Sequence, residues 1–184
     1  MVDKQNVGQA IRIQNEIFPL VNGSEDLKEA VSGNIQSYQL LKYWLAKDEN
    51  KFVGISGLYA YKEYPQDAWL GWFGVLEGER GKGYATQIME FTKQQAKQLG
   101  FESLRLYTDE QGNAKAVKLY NKLGMIGELY NNPEDAHFEI SNTLIFSTSL
   151  TNKPVTLWNN KNLFLGAHDE KNNLNVNSEP ELSR

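Results

Sequence analysis

Ala68–Leu76 is a run of nine residues whose only polar side-chain atoms belong to two indoles. A run of this kind reads as a strand buried on both faces. It is followed by Glu77-Gly78-Glu79-Arg80-Gly81-Lys82-Gly83 and then by a strongly patterned helix. Ala85, Ile88, Met89, Thr92, Ala96 and Leu99 recur at helical spacing, while Gln87, Glu90, Gln94 and Lys97 fall on the opposite side. Gly100 stands where a helix-ending glycine belongs. A buried strand feeding an amphipathic helix through a glycine-bearing loop restricts the chain to layered α/β architectures.

The rest of the chain agrees with that frame. Val7–Pro19 reads as an amphipathic helix stopped by its proline, and Ser24 caps a short second helix ending at Gly33. Leu40–Ala46 and Phe52–Tyr61 read as strands either side of the polar turn Asp48-Glu49-Asn50. After the long helix come a strand at Ser103–Tyr107, a helix from Asn113 to Leu123 ended by Gly124, and strands at Ile126–Tyr130 and Leu144–Leu150. The order is helices, three strands, helix, strand, helix, two strands, which makes a mixed α/β sheet. Residues 1–150 form one domain on this reading, and 151–184 an extension. Val155–Trp158 and Leu163–Leu165 flank an Asn-rich turn as a hairpin would, and the Asn-rich end beyond Lys171 is expected to be mobile.

Composition removes several functions. The chain has 184 residues, 19 Lys and Arg against 23 Asp and Glu, and a formal charge of −4. No basic excess marks a nucleic-acid surface. Cysteine is absent, which excludes disulfides, thiolate metal sites and a Cys nucleophile. Two histidines, His137 and His168, are too few for a histidine-rich metal site, and each reads as an exposed polar residue. No apolar run reaches about 20 residues, and Met1-Val2-Asp3-Lys4-Gln5 does not open a signal peptide. The expectation is a cytoplasmic protein without metal or membrane segment.

Arg80-Gly81-Lys82-Gly83-Tyr84-Ala85 carries the chemistry. A glycine loop opening a helix presents free backbone N–H groups and the positive end of the helix dipole, which together favour a phosphate. Arg80 and Lys82 add positive charge. A tight turn with two solvated cations explains the same residues without a ligand. The phosphate-loop pattern with Ser or Thr after Gly-Lys is missing, and so is G-x-G-x-x-G. What remains is R-x-x-G-x-A, formed by Arg80, Gly83 and Ala85.

R-x-x-G-x-A after an apolar strand resembles the acyl-CoA loop of the GNAT superfamily of N-acetyltransferases. A second segment strengthens the likeness: Asn113, Ala116, Tyr120, Leu123, Gly124 and Met125 are similar to that family's N-x-x-A-x-x-x-Y-x-x-x-G-F, with Met125 in place of Phe. The two lie in family order, one helix and one strand apart, and the resemblance spans about Val7–Leu150.

The resemblance implies a mostly antiparallel sheet, flanked by helices, with a central splay between two strands. It implies acetyl-CoA as co-substrate, held at its pyrophosphate by Arg80, Gly81, Lys82, Gly83, Tyr84 and Ala85. It implies that Phe73, Gly74 and Val75 pair with the pantetheine arm as an added strand. Asn113 would contact the arm, a backbone N–H near Val75 would stabilise the oxyanion, and Tyr120 would act as general acid for the leaving thiolate. From helical spacing alone Tyr120 is equally a core tyrosine, and Asn113 is fully explained as a helix cap.

The departure lies at the base. Several family members carry a glutamate eleven residues before the loop's first Q or R, and here that position is Trp69. Glu77 and Glu79 read as helix-terminal or solvated acids, and Asp67 as a turn residue, so no base is assigned. Trp69 is the leading candidate among the strand aromatics to line an acceptor pocket. The acceptor is a small-molecule or peptide amine. Competing functions are a non-catalytic acyl-CoA-binding module, transfer of a longer acyl group, and plain nucleotide binding. The tail either covers a sheet edge or joins two copies in a homodimer. The N-terminal strand common in the family is expected to be short or missing.

Overall fold

The computed structural model describes residues 1–36, 38–109, 112–135 and 142–163. Helices α1 (Val7–Ile17) and α2 (Ser24–Ser32) precede strands β1 (Leu40–Asp48), β2 (Lys51–Ala60) and β3 (Asp67–Val75). Then follow α3 (Tyr84–Gln98), β4 (Ser103–Asp109), α4 (Ala114–Lys122), β5 (Ile126–Leu129) and β6 (Thr143–Ser149). Among the described residues no strand precedes α1, although Val2 N–H bonds to Tyr43 O at 2.7 Å. No helix among them is long and apolar enough to cross a membrane.

The six strands lie in the order β1-β2-β3-β4-β6-β5. Every neighbouring pair is antiparallel except β3 and β4. These two are parallel because α3 carries the chain back across the sheet between them, the connection that a parallel pair needs. Their ladder is only three residues long: Asp67 faces Ser103, Ala68 faces Leu104 and Trp69 faces Arg105. Beyond Trp69 the strands diverge, and this is the splay that the sequence implies.

Helices cover both faces of the sheet. Ala10, Ile13 and Leu27 of α1 and α2 pack with Tyr43, Ile55, Tyr59, Tyr61 and Trp69. Met89, Ala96 and Tyr120 of α3 and α4 pack with Leu58, Ala60, Ala68, Leu104, Leu106 and Phe146. Burying one such Leu or Met side chain contributes about 1.5–3 kcal/mol. Thr92, on the buried face of α3, is satisfied there: its hydroxyl donates to Ile88 O at 2.7 Å and lies 2.6 Å from that of Ser56. Leu99 departs from the expected stripe. It lies one residue past the end of α3 and is 40% exposed.

Of the hairpin that the sequence places over residues 155–165, residues 155–163 are described, and among them its turn is present. Asn159 and Asn160 both have positive φ, 55° and 56°, but residues 151–163 contain no strand. Their backbone groups are taken by side chains of the sheet and its loops instead. Trp158 and Asn159 donate N–H to Glu128 at 2.5 and 2.7 Å, Leu163 N–H donates to the Tyr130 hydroxyl at 2.9 Å, and Thr156 O accepts from Arg105 at 2.8 Å. The segment lies against the sheet as a strap, with Trp158 and Leu163 fully buried. Phe164, Leu165 and the tail beyond them lie outside the described residues.

Candidate active site

The local event that builds the site is a bulge on β3. Ile55 faces Gly74 and Gly57 faces Gly71, so Trp72 and Phe73 stand together opposite Ser56 alone. Such an insertion bends a strand and re-aims its side chains. Trp72 turns toward α1 and α2, where its ring meets Phe18 at 5.2 Å and its indole N–H donates to Asp26 Oδ2 at 3.0 Å. Phe73 turns to the other face and meets the ring of Tyr120 at 6.4 Å. Gly74 is required by close approach, since a Cβ there would run into Ile17 at the end of α1. Residues 70–75 of β3 and 106–109 of β4 thus bound a V-shaped opening, with no strand paired to either along its inner edge. Backbone N–H and C=O groups in that condition need another partner.

At the end of β3 a short 3₁₀ turn, Glu77–Glu79, leads into the glycine loop. Gly81 and Gly83 have φ of 81° and 87°, the left-handed region in which a side chain is costly. Helix α3 starts at Tyr84 with Gly83 as its cap and no side chain satisfying its first amides. Those N–H groups and the helix dipole together form an anion-binding terminus. Arg80 extends away from the loop and donates from Nε to Val75 O at 3.1 Å, joining the loop to the last residue of β3. Ala85 follows in the first turn of α3.

Besides Arg80, two side chains of the loop have protein partners. Lys82 bonds to Glu79 at 2.9 Å, and Lys51 of β2 holds the other oxygen of the same carboxylate. Glu79 is therefore not a solvated acid. Its side chain is almost covered, and the hydrogen bonds from Lys51 and then Lys82 hold its carboxyl below the usual range. The Tyr84 hydroxyl donates to Asp48 at the end of β1, and that bond pushes its pKa up to about 12.

Tyr120 sits in the wall of the opening at 6% exposure, its ring between Phe73 and Phe146. Its hydroxyl bonds to no described residue, and burial pushes its pKa up to about 12. Tyr120 is thus a core tyrosine whose ring packs against β3 and β6. Asn113 caps α4 with its backbone only: its carbonyl accepts from Ala116 and Val117 at 2.8 and 3.0 Å, while its exposed side chain makes no capping bond.

Trp69 does not line a pocket. It is fully buried at the last position of β3 that pairs with β4, stacked on Tyr59 at 6.3 Å and met edge-on by Tyr61 at 5.7 Å and by Trp158 at 4.9 Å. The strap closes over it, and its indole nitrogen has no partner. The position that carries an acid in several relatives is here a sealed aromatic one. Asp67 closes the expected turn, its N–H donating to Tyr64 O at 3.0 Å, but its side chain is buried and bonded to Arg105 at 2.9 Å. The sequence reading missed Asp26, whose only signal was one acid among several in the first turn of a helix. It also missed Arg105, a lone cation in an apolar strand pattern. His137 and His168 lie outside the described residues.

Comparison with known proteins agrees with this geometry. Residues 9–125 match the family model for the acetyltransferase (GNAT) family. The chain is 32% identical over 123 residues to the N-acetyltransferase YdgE of Bacillus subtilis (strain 168), covering 66% of this chain and 76% of the relative. It shares its fold with the ribosomal-protein-S18-alanine N-acetyltransferase of Escherichia coli, at a TM-score of 0.62 and 15% identity, over 84% of this chain and 94% of the other. It likewise shares the fold of Arabidopsis thaliana NAA60, crystallised with acetyl-CoA, at a TM-score of 0.62 and 14% identity, over 80% and 93% of the two chains. The opening between β3 and β4, the glycine loop below it and these likenesses lead to one conclusion: the chain belongs to the GNAT family of acetyltransferases.

Proposed function

We propose that the chain transfers an acetyl group from acetyl-CoA to a primary amine by direct attack within a ternary complex. The observation that carries this reading is the V between β3 and β4, with uncapped helix amides at one end and the unbonded Tyr120 hydroxyl in its wall. Acetyl-CoA fits those groups. The amides of Gly83, Tyr84 and Ala85 suit its pyrophosphate, with Arg80, Gly81 and Lys82 completing the loop around it. The inner edge of β3 at Phe73, Gly74 and Val75 suits the amide-bearing pantetheine arm as an added strand. Asn113, with its side chain free of the helix cap, is positioned to contact that arm. When bound, the donor supplies an acetyl carbon activated as a thioester.

Tyr120 holds its proton throughout the physiological range, because burial disfavours the phenolate. It can therefore deliver a proton to sulfur, which then leaves as a thiol. Absence of cysteine removes an acyl-enzyme route through a thiolate and leaves direct attack.

The test is CoA release from acetyl-CoA against a panel of primary amines, followed with a thiol-reactive dye. The chain has no cysteine, so the dye reports CoA alone. Release that depends on a particular amine supports the reading, and no amine-dependent release across the panel defeats it. The sealing of Trp69, which removes the usual site of a base, favours one competitor: a module that binds acyl-CoA without turnover. That competitor predicts CoA affinity with no release.

A further inference from the structure

The buried and half-buried carboxylates of this fold are nearly all committed. Asp67 is bonded to Arg105, Asp135 to the Tyr130 hydroxyl, Glu79 to two lysines, and Glu128 to two backbone N–H groups of the strap. Asp26 differs. Its single hydrogen bond is from the Trp72 indole, and it has no cationic partner among the described residues. The cation nearest in sequence, Lys28, is bonded to Glu25 at 2.7 Å. The charges that act on Asp26 are those of Glu29 and Glu25, both of its own sign.

Its place in the fold is equally specific. Trp72 lies on the stretch of β3 that has left β4, beside the bulge, so Asp26 is tethered to one lip of the opening. Tyr38, ahead of β1, and Tyr43, whose ring lies over Gly57 and Gly71, both feel the charge of Asp26 and the hydroxyl of Tyr107. Tyr107 stands on β4 beyond the last paired residue, on the other lip, and is 45% exposed. Asp26 therefore stands at the α1–α2 side of the mouth, bonded to the Trp72 indole, whose ring in turn meets Phe18. Phe73 and Tyr120 pack on the opposite side. A carboxylate at the mouth with like charges beside it, and no cationic partner among the described residues, is suited to a bound cation.

We propose that Asp26 is the counter-ion and proton acceptor for the acceptor substrate, and that this substrate is a cationic primary amine entering from the α1–α2 side. This rests on the acetyl-transfer reading above. The amine arrives as R–NH3⁺ and gives one proton to the Asp26 carboxylate. The freed lone pair forms the N–C bond to the acetyl carbon while the C–S bond breaks. Sulfur takes the Tyr120 proton, the second nitrogen proton restores Tyr120 through water, and Asp26 returns its proton to solvent. The sum is R–NH3⁺ plus acetyl thioester giving R–NH–acetyl, thiol and H⁺. Desolvation first, then repulsion by Glu29 and Glu25, raises the pKa of Asp26 against the opposing hydrogen bond from Trp72, which makes it a better base than a solvated aspartate. Its neighbours from every side are Glu25 and Glu29 on α2, Tyr38 and Tyr43 around β1, and Trp72 on β3.

The experiment compares the full chain with Asp26→Asn, which keeps an acceptor for the Trp72 indole, and with Glu25→Gln as control. Two readouts are used. One is the Trp72 indole N–H resonance, identified by Trp72→Phe and recorded with CoA present during titration with n-butylamine and with its neutral counterpart n-butanol. The other is kcat/KM against pH for whichever panel amine turns over. Butylamine but not butanol should move the resonance in the parent and in Glu25→Gln, but not in Asp26→Asn. Asp26→Asn should lose at least thirtyfold in kcat/KM and lose the acidic limb of the profile, with acetyl-CoA affinity unchanged. A variant within threefold of the parent, or one whose indole still responds to butylamine, overturns the proposal and leaves acetyl transfer standing. A parent whose indole responds but which releases no CoA keeps the cation site and defeats acetyl transfer. A parent with neither response defeats both.

Discussion

Arg105 on β4 donates from Nε to Oδ1 of Asp67 on β3 at 2.9 Å, within the three-residue stretch over which the two strands are paired. Its Nη1 extends the contact, donating to Ser147 Oγ on β6 at 2.6 Å and to Thr156 O in the strap at 2.8 Å. The guanidinium is almost fully buried beneath the Trp158 ring, 5.4 Å from its centre. One side chain thus joins β3, β4, β6 and the strap at the apex of the opening. Where this clamp ends, the strands part.

Arg105→Met should therefore destabilise the fold by about 3–5 kcal/mol, because it leaves the Asp67 carboxylate buried without a counter-charge. Urea unfolding measures this directly. Adding Asp67→Asn to Arg105→Met should recover a large part of the loss, since the second change removes the stranded charge. A loss below about 1 kcal/mol for Arg105→Met alone would show that the clamp is dispensable.

Tyr120→Phe keeps the ring between Phe73 and Phe146 and removes only a hydroxyl that bonds to no described residue. On the proposed mechanism kcat should fall by about a hundredfold or more, the usual worth of a positioned acid. Acetyl-CoA affinity, measured by titration calorimetry, should change less than about twofold. Because burial pushes the hydroxyl up to about 12, kcat of the parent should show no alkaline loss from this group as far as pH 10. An alkaline limb near pH 8 that disappears in Tyr120→Phe would contradict the pKa, and an unchanged kcat would remove Tyr120 from the chemistry.

Buried tyrosines also set how the fold responds to base. Tyr120 is pushed up to about 12 by burial, and Tyr38, Tyr43, Tyr59 and Tyr61 are raised by the same cause. Each folded-state pKa lies above the unfolded value of about 10. The folded state then keeps protons that the unfolded state releases, so the stabilisation is complete below about pH 10 and is lost as pH rises through the folded values. The urea midpoint should be flat between pH 7 and 9 and fall steeply from pH 10 to 12. A parallel absorbance titration at 295 nm should show most of these phenols ionising only as the protein unfolds. Ionisation near pH 10 with the fold intact would contradict their burial.

The sequence carried the architecture because its signals were local. Helix faces at Ala85–Ala96, helix ends at Gly33, Gly100 and Gly124, and the loop at Arg80–Ala85 are each written within a dozen adjacent residues. In the strap the local signal is the turn at Asn159 and Asn160, whereas the groups that claim its backbone, Arg105, Glu128 and Tyr130, are distant in sequence. Trp69 was misassigned for the same reason: only Trp158, far along the chain, decides whether that ring faces an opening or a lid. Asp26 reads in the sequence only as one first-turn acid among several, since its meaning lies in a bond to Trp72 and in the lack of a cationic partner among the described residues.

Glu79 gives the last prediction. It is a nearly covered acid beside the proposed pyrophosphate loop, gripping Lys82 and Lys51, and its carboxyl stays ionised to unusually low pH because of them. A negative charge there opposes a phosphate and occupies a cation that the phosphate would use. Glu79→Gln removes that charge and releases both lysines while keeping the shape of the side chain. A unit charge close to a phosphate in a water-like medium changes its affinity by roughly fourfold. CoA should therefore bind about fourfold more tightly to Glu79→Gln in low salt, and the gain should shrink toward 1 M salt as screening removes it. Dephospho-CoA, which retains the pyrophosphate, should gain similarly, whereas pantetheine, which has no phosphate, should gain nothing. Weaker CoA binding by the variant would mean that the bridge to Lys51 and Lys82 positions the loop, and that this positioning outweighs the repulsion.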